Sequence, residues 1–191
     1  FTLHARFPES FDFNKAFCWF ILANKTGHYG GSAITILARD ISIIKDSKDF
    51  DEALKKLVEK LEAKKFTTDD FLVSYTKSRF GKFMLYLLLF NNDARDWTPS
   101  RQRIGYRRTS LVRGFHPEFH HFIPRDILDS YGIKDKDKID SLANIVVVSR
   151  KTNRKIKRKH PRRYVDELGI KDFELEKFYI PKDKSLWELN R

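Results

Sequence analysis

Apolar residues in the first part of the chain recur at the three-and-four spacing that places side chains on one face of a helix. The first such face consists of Phe13, Ala16, Phe17, Phe20 and Ile21. The second follows a glycine turn with Ser32 as a candidate N-cap, and it consists of Ile34, Leu37, Ile41 and Ile44. The pattern predicts two helices with buried apolar faces, and Cys18 is expected as a small core residue in the first.

Two further helices are predicted before residue 98. Between residues 51 and 65, Leu54, Leu57 and Leu61 alternate with Lys and Glu, as in a surface helix that packs on one side. Residues 80–90 are apolar on every side, which indicates a buried helix at the centre of a bundle. The four helices together predict an N-terminal helical domain that spans residues 1–97.

The C-terminal half has the order strand, long connection, strand, helix. Residues 119–124 and 144–149 are short runs rich in β-formers, and the polar segment 150–159 is compatible with a helix. A last helix is predicted to begin at Pro161 and to end at Gly169. We interpret the arginine-rich residues 98–114 as a basic connector, so the expected fold is α+β with a second domain at 115–191.

The positive net charge of the chain indicates which class of molecule it binds. Its 191 residues carry a formal net charge of +12, which favours a polyanion such as nucleic acid or an anionic membrane surface. Membrane insertion is not expected, because the longest apolar run, residues 83–90, is far shorter than the roughly 20 residues that span a bilayer. A single cysteine favours a reducing, cytoplasmic compartment. The start at Phe1 without a Met indicates a fragment of a longer protein.

Two adjacent histidines are the first candidates for chemistry. His120 and His121 lie in a predicted strand, where neighbouring side chains point to opposite faces, so one can bind a metal ion while the other holds a water molecule. Hydrolysis of a phosphodiester needs an activated water and a cation that stabilises the charge developing on the phosphate. Histidine suits the base because its unperturbed pKa lies near neutrality. An asparagine oxygen suits Mg²⁺ or Mn²⁺.

The segment Phe-His-His-Phe-Ile-Pro-Arg at 119–125, followed by Leu-Ala-Asn-Ile-Val-Val-Val-Ser-Arg-Lys-Thr-Asn-Arg-Lys at 142–155, resembles the HNH or ββα-metal endonucleases. The resemblance covers residues 115–168 and implies a two-stranded hairpin followed by a helix that grips one divalent ion. It implies that His121 is the general base and that Asn144 ties the loop between the strands and orients that base. It implies that His120 and Asn153 are the metal ligands.

Two residues depart from the pattern of this family. His120 stands where the family usually has Asp or Glu, so Ni²⁺ or Zn²⁺ become alternatives to Mg²⁺ or Mn²⁺. Glu118 falls on the same side of a strand as His120, and it is a candidate for the missing acidic charge. Lys157 lies four residues after Asn153, where the family often has a last histidine, and we expect it to contact the scissile phosphate.

A closer resemblance adds the following Pro161-x-x-Tyr164 and the preceding helices. Together with the histidine motif, they are similar to the C-terminal nuclease part of GmrSD-type restriction proteins, which defend bacteria or archaea against phage DNA. In that family a nucleotide-dependent ParB-like domain precedes helices of this type. The resemblance therefore implies an effector domain that nicks DNA and leaves a 5′ phosphate, with an upstream nucleotide-dependent domain as its partner in the same protein.

Basic residues near the motif are predicted to contact DNA phosphates. They are Arg125, Arg150, Lys151, Arg154, Lys155 and Arg158. The arginines at 101–113 are either a second DNA contact or part of a linker, and His116 is a candidate spare ligand. One alternative function is an inactive HNH-fold module that only binds nucleic acid. Another is that the helical half docks a partner and controls the nuclease from there.

Overall fold

The structure is a computed structural model that describes residues 1–62, 65–99, 101–104 and 117–188. The chain forms two compact units, Phe1–Thr67 and Thr68–Arg191. This division lies well before residues 98–114, where the sequence predicts a connector between domains. Residue 100 and residues 105–114 of that stretch lie outside the described residues, as does the candidate ligand His116.

The first unit is helical. Its helices are α1 (Thr2–Arg6), α2 (Phe13–Lys25), α3 (Ala33–Lys45) and α4 (Phe50–Glu59). The Asp12 side chain caps α2 by accepting a hydrogen bond from Lys15 N at 3.0 Å, and Asp49 caps α4 in the same way. Ser32 occupies the N-cap position of α3, but its side chain makes no capping bond. The predicted helices in this part of the chain are confirmed.

The core of the first unit is smaller than the apolar pattern predicts. Its main buried cluster consists of Leu3, Phe7, Ile44, Phe50, Ala53 and Leu57. The pattern wrongly predicts burial of Phe13 and Ile34, which are 66% and 86% exposed, and of Cys18, which is exposed as well. Helical spacing identifies an apolar face, whereas burial of that face also requires a partner. An open apolar groove of about 580 Å³ is lined instead by a set that includes Phe13, Phe20, Ile34 and Leu37.

The second unit mixes helices with a two-stranded sheet. Its elements are α5 (Arg79–Asn91), β1 (Pro117–His121), α6 (Arg125–Ser130), α7 (Lys136–Ile139), β2 (Ile145–Ser149), α8 (Arg150–Ile156), α9 (Pro161–Glu167) and α10 (Asp172–Lys177). Short 3-10 helices lie at Thr68–Phe71, Leu142–Asn144 and Lys184–Trp187. Among the described residues, no helix combines the length and the apolar character that crossing a membrane requires.

Helix α5 belongs to the second unit, which corrects the prediction that residues 80–90 lie at the centre of an N-terminal bundle. Leu89 is fully buried in the main apolar cluster of the second unit, and Leu85 and Tyr86 pack against that cluster. The cluster includes three consecutive valines of β2, Val146, Val147 and Val148. The helix is also less buried than its apolar composition predicts, because only Gly81, Met84 and Leu89 of α5 are buried and Phe90 is exposed.

Strands β1 and β2 pair antiparallel, with Glu118 opposite Val148 and His120 opposite Val146. Every residue of β2 is buried, whereas β1 has exposed, half-buried and buried positions. Both predicted strands are confirmed, although β1 begins two residues and ends three residues earlier than predicted, and α6 and α7 lie in the long connection between them. Because β2 is covered on both faces, β1 is the strand of the pair that presents side chains at the surface.

A buried carboxylate fixes the start of α8. Asp96 Oδ1 accepts a hydrogen bond from Ser149 N at 2.7 Å. Its Oδ2 accepts bonds from Ser149 Oγ at 2.8 Å and from Thr152 Oγ1 at 2.9 Å. Ser149 is also the N-cap of α8 and accepts a bond from Thr152 N. These bonds set the direction in which α8 leaves β2, and therefore the place of Asn153.

Candidate functional site

The two histidines of β1 lie in different environments, as the alternation along a strand predicts. His120 is only 8% exposed, and its ring meets that of Tyr164 edge-on at 6.3 Å between centroids. Its Nε2 is buried and has no hydrogen-bond partner among the described residues. His121 is half-buried and lies beside the ring of Tyr75. A buried polar atom without a partner is uncommon, so Nε2 of His120 is a candidate ligand atom.

The surroundings of His120 keep its ring neutral at physiological pH. Burial lowers the pKa of His120 from its ordinary value of 6.5 to about 4. A side-chain interaction with Asn153 opposes this shift and raises the pKa, whereas the charge of His121 lowers it further. A neutral imidazole keeps the lone pair with which it can bind a metal ion.

Asn153 reaches from α8 to the same face of β1. Its Nδ2 donates a hydrogen bond to Glu118 Oε2 at 2.7 Å. The other carboxylate oxygen of Glu118 accepts a bond from Arg150 Nε at 2.8 Å. These two bonds, that from Asn153 first, lower the pKa of Glu118 below its usual value. The structure therefore places Glu118, His120 and Asn153 together, with a negative charge on Glu118.

His121 is held by an aspartate that sequence reasoning missed. Its Nε2 lies 2.8 Å from Asp140 Oδ1, and Arg125 Nη2 lies 3.7 Å from the same oxygen. A carboxylate bonded to one ring nitrogen favours the tautomer with its proton on that nitrogen, so the lone pair remains on Nδ1. Asp140 lies 19 residues after His121 in the long connection between the strands, where spacing gives no indication of the contact.

Asn144 ties the two ends of that connection together. Its Oδ1 accepts a hydrogen bond from Ile123 N at 2.8 Å, and its Nδ2 donates to Ile123 O at 3.1 Å. The same Nδ2 donates to Ile139 O at 3.0 Å. Because Ile139 directly precedes Asp140, the bonds of Asn144 fix the backbone on both sides of the His121–Asp140 contact. Within the described residues, all these partners of Asn144 are backbone atoms.

Tyr164, from the Pro-x-x-Tyr segment, braces the end of β1. It is fully buried in α9, and its hydroxyl donates to Phe122 O at 2.9 Å. Its ring stacks with that of Trp97 at 6.2 Å and meets that of His120 edge-on. Burial raises the pKa of Tyr164, which stays a neutral donor. Helix α9 begins at Pro161, as predicted, and Gly169 follows it with a φ of 61°.

Some of the basic residues that are predicted to contact DNA form ion pairs within the protein, and others do not. Arg150 is bonded to Glu118, Arg158 to Asp126 at 3.0 Å, and Arg125 lies near Asp140. Lys151, Arg154 and Lys155 are exposed on α8 and form no ion pair with any described residue. Arg107, Arg108 and Arg113 lie outside the described residues.

Lys157 is not carried on α8 as the sequence predicts. The helix ends at Ile156, and Lys157 follows as its C-cap with a φ of 53°. Left-handed backbone at a lysine turns the chain away from the helix axis. Lys157 lines an exposed basic pocket together with Arg154, Lys155 and Lys159. The backbone N–H of Lys157 donates to the backbone oxygen of Asn153 at 2.9 Å, but among the described residues its side chain has no recorded contact with His120 or Asn153.

The arrangement is suited to a metal ion held by few protein groups. Among the described residues, no three His, Cys, Asp or Glu side chains converge in a geometry that could hold a metal ion. A site built from an imidazole and an amide oxygen has only one side chain of those types, and water completes the shell of Mg²⁺ or Mn²⁺ in such sites. The unpartnered Nε2 of His120 beside the amide of Asn153 fits such an ion.

Comparison with known proteins assigns the chain to no family. No family model matches the chain, and neither the curated proteins nor the solved structures include a significant match.

Proposed function

We propose that the second unit is a metal-dependent endonuclease of the HNH type that nicks DNA. The observation that carries the proposal is the strand, strand, helix order of β1, β2 and α8, which brings Asn153 to the face of β1 occupied by Glu118 and His120. His121, on the neighbouring position of the same strand, supplies a second imidazole. One unit thus offers a candidate ligand pair and a candidate base within a few residues.

His120 and Asn153 are the residues that would hold the divalent ion, Mg²⁺ or Mn²⁺ in the first instance. The ring of His120 is neutral, its Nε2 has no hydrogen-bond partner among the residues that the structure describes, and the oxygen of Asn153 is a hard ligand. When bound, the ion stabilises negative charge on the scissile phosphate and on the leaving oxygen. Burial of His120 among Tyr164 and the core holds its ring in one orientation.

His121 is the proposed general base, and Asp140 is its positioning residue. With the Nε2 proton donated to Asp140, Nδ1 of His121 accepts a proton from the attacking water. The carboxylate stabilises the imidazolium that results and keeps the ring from rotating. Asn144 contributes by holding the backbone before Asp140 and after His121. Water attack on the phosphorus leaves a 5′ phosphate and a 3′ hydroxyl.

DNA is the proposed substrate because the chain is strongly basic and α8 presents exposed cations beside the site. Lys151, Arg154 and Lys155 are exposed and unpaired among the described residues, so they can neutralise backbone phosphates. The paired Arg150 and Arg158 are less available for that role. Contacts of this kind give affinity that falls steeply as salt rises and that does not depend on base sequence.

The proposed biological setting is restriction of phage DNA. It rests on the similarity of the motifs at 119–125, 142–155 and 161–164 to GmrSD-type proteins. In this setting the chain is the effector part, and an upstream nucleotide-dependent domain governs when it cuts. Because one site cuts one strand, a single copy is expected to nick, and a double-strand break needs two events.

Incubation of supercoiled plasmid with the protein tests this proposal. We expect nicked circles in Mg²⁺ or Mn²⁺, none in EDTA, and none with His121→Ala. The matched control is His4→Ala, which removes an exposed histidine of the first unit and should nick like the parent. Nicking in EDTA, or equal nicking by His121→Ala, would show that the site is wrong.

A nucleic-acid-binding module without activity is the second candidate. The observation that favours it is His120 itself, a neutral side chain at a ligand position where the HNH family usually has an acid. This candidate predicts that the protein retards DNA in a gel, in a salt-sensitive manner, but leaves plasmid intact in every metal. The same plasmid series therefore separates the two candidates.

A further inference from the structure

We propose that Glu118 is a positioning residue of the metal site, which holds the oxygen of Asn153 toward the ion and supplies the negative charge that His120 lacks. This inference rests on the proposed function of the same site. It assigns a role to a residue outside the ligand pair, and it follows from the contacts of the Glu118 carboxylate.

The first argument concerns the direction of the Asn153 amide. An amide has a donor end and an acceptor end, and only the acceptor oxygen binds a cation. Asn153 Nδ2 donates to Glu118 Oε2 at 2.7 Å, so the oxygen occupies the opposite end. A rotated amide would place its oxygen against the carboxylate, where both groups only accept hydrogen bonds. Glu118 thereby selects the orientation in which Oδ1 is available to a metal ion.

The second argument concerns charge. An imidazole that coordinates a metal ion and an amide oxygen are both neutral ligands, so His120 and Asn153 alone offer a divalent cation no negative charge. Glu118 lies two residues before His120 on the same side of β1 and is directly bonded to Asn153. A carboxylate that is hydrogen-bonded to a ligand also polarises that ligand and increases its affinity for the ion. Glu118 is therefore the anionic group next to the pair, and its ion pair with Arg150 offsets part of its charge.

The third argument concerns rigidity. Arg150 Nε bonds the other carboxylate oxygen of Glu118 at 2.8 Å, which leaves Oε2 facing Asn153. Arg150 is the first residue of α8, and the start of α8 is fixed by Asp96 through Ser149 and Thr152. Because Arg150 and Asn153 both lie on α8, the contacts of Asp96 hold in place the two residues that bond the Glu118 carboxylate.

The inference is tested by the Mn²⁺ affinity of the full chain, measured by titration calorimetry without DNA, so the test does not depend on nuclease activity. We expect Glu118→Ala to weaken Mn²⁺ binding by about 10- to 100-fold, the usual loss when a residue that supports a ligand is removed. Glu118→Gln keeps an acceptor oxygen but loses the charge, so its loss should be smaller. The matched control is Glu167→Gln, which removes a carboxylate that Lys159 and Arg163 hold elsewhere in the second unit.

An exchange of the two groups gives a second, independent measurement. Asn153→Asp alone places two carboxylates in contact and should disturb the pair. The double variant Glu118→Gln with Asn153→Asp restores one amide opposite one carboxylate, so in EDTA it should recover the Tm that the single change at Asn153 loses. Thermal unfolding in EDTA checks that every variant is folded, and the rise in Tm on adding Mn²⁺ measures binding by a separate method.

The outcomes separate this inference from the proposed function. If the parent binds Mn²⁺ and Glu118→Ala and Glu118→Gln bind it equally well, the role of Glu118 is overturned while the metal site stands. If the parent does not bind Mn²⁺, Mg²⁺ or Ni²⁺, the proposed function and this inference both fail. Selective loss of Mn²⁺ affinity in the Glu118 variants, with recovery of Tm in EDTA in the double variant, supports the inference.

Discussion

Asp40 in the first unit and Asp96 in the second are both buried carboxylates, 2% and 1% exposed, but their surroundings differ. Both oxygens of Asp96 accept hydrogen bonds, and the bonds join the ends of β2 and α8. Asp40 Oδ2 is bonded to His28 and Tyr29, whereas Oδ1 has no hydrogen-bond partner in the described part of the chain and lies 3.5 Å from Arg39. The second unit uses its buried carboxylate to position a helix that carries candidate ligands.

The apolar residues of the two units show the same contrast. Residues of β2 are buried on both faces of the sheet, and the cluster around them extends to Tyr164 and Trp187. In the first unit Asp40 lies beside the apolar groove, which Phe13 and Ile34 also line. A continuous core holds polar side chains in fixed positions, which is what the proposed catalytic site in the second unit needs.

The largest expected effect comes from removal of Asp96. Asp96→Ala leaves the Ser149 and Thr152 donors without their buried acceptor, and hydrogen bonds to a charged group contribute about 1.5–3 kcal/mol each. We expect a loss of about 3–4 kcal/mol in the free energy of unfolding, measured by urea denaturation. Asp96→Asn keeps one acceptor oxygen and should lose less. If Asp96→Ala lost no more stability than Asp96→Asn, the role given to the carboxylate would be contradicted.

Removal of the Asp140 charge, which lies next to His121, should affect activity more than stability. Asp140→Asn should lower kcat for nicking by about 10- to 100-fold, because an amide can also bond the ring as a donor and so permits the wrong tautomer. The matched control is Asp137→Asn, an exposed aspartate of α7 that pairs with Lys77. Single-turnover rates at saturating DNA measure the effect. Equal rates in both variants would exclude a positioning role for Asp140.

The low pKa of His120 predicts a dependence of stability on pH. Its pKa is about 4 in the folded chain against an ordinary value of 6.5, so the unfolded chain binds more protons between these values. The stabilisation is complete above pH 6.5 and is lost as the pH falls toward 4, with about 2 kcal/mol lost between pH 7 and pH 5.

Urea denaturation in EDTA at both pH values measures this loss. His120→Gln has no titrating group at this position and should lose about 2 kcal/mol less than the parent over the same range. The difference between the two proteins cancels the contribution of carboxylates elsewhere. The same pH dependence in both proteins would mean that His120 is not buried as described.

The smallest expected effect lies in the apolar groove. Ile34→Ala should change the free energy of unfolding by no more than about 0.5 kcal/mol, because Ile34 is largely exposed. Ile44→Ala in the same helix is the matched comparison and should cost about 3 kcal/mol, because Ile44 belongs to the buried cluster. Equal losses at the two positions would show that the groove is packed in solution.

The sequence predicts local elements well because their causes are local. The helical spacing at 13–21, the β-rich runs and the proline at 161 each predict an element that the structure contains. Burial of the predicted apolar faces depends on a partner that spacing does not identify, which explains the exposed Phe13 and Ile34. For the same reason residues 80–90 were assignable to a helix but not to a unit.

The sequence likewise predicts some residues of the candidate site and misses others. The motif places His120, His121, Asn144 and Asn153 on elements whose order is readable from the chain. Asp140 and Asp96 are not readable, because their partners lie 19 and 53 residues away and neither contact follows a spacing rule. Lys157 was misplaced because the sequence contains no Gly or Pro at the point where α8 ends.

The most direct test of the central claim is single-turnover cleavage of an end-labelled DNA duplex by the full chain, with and without Mn²⁺. We expect Mn²⁺-dependent products with 5′ phosphates, and a rate for His121→Ala at least about 100-fold lower with DNA binding unchanged. Cleavage in EDTA, an unchanged rate for His121→Ala, or intact duplex in every metal would contradict the account.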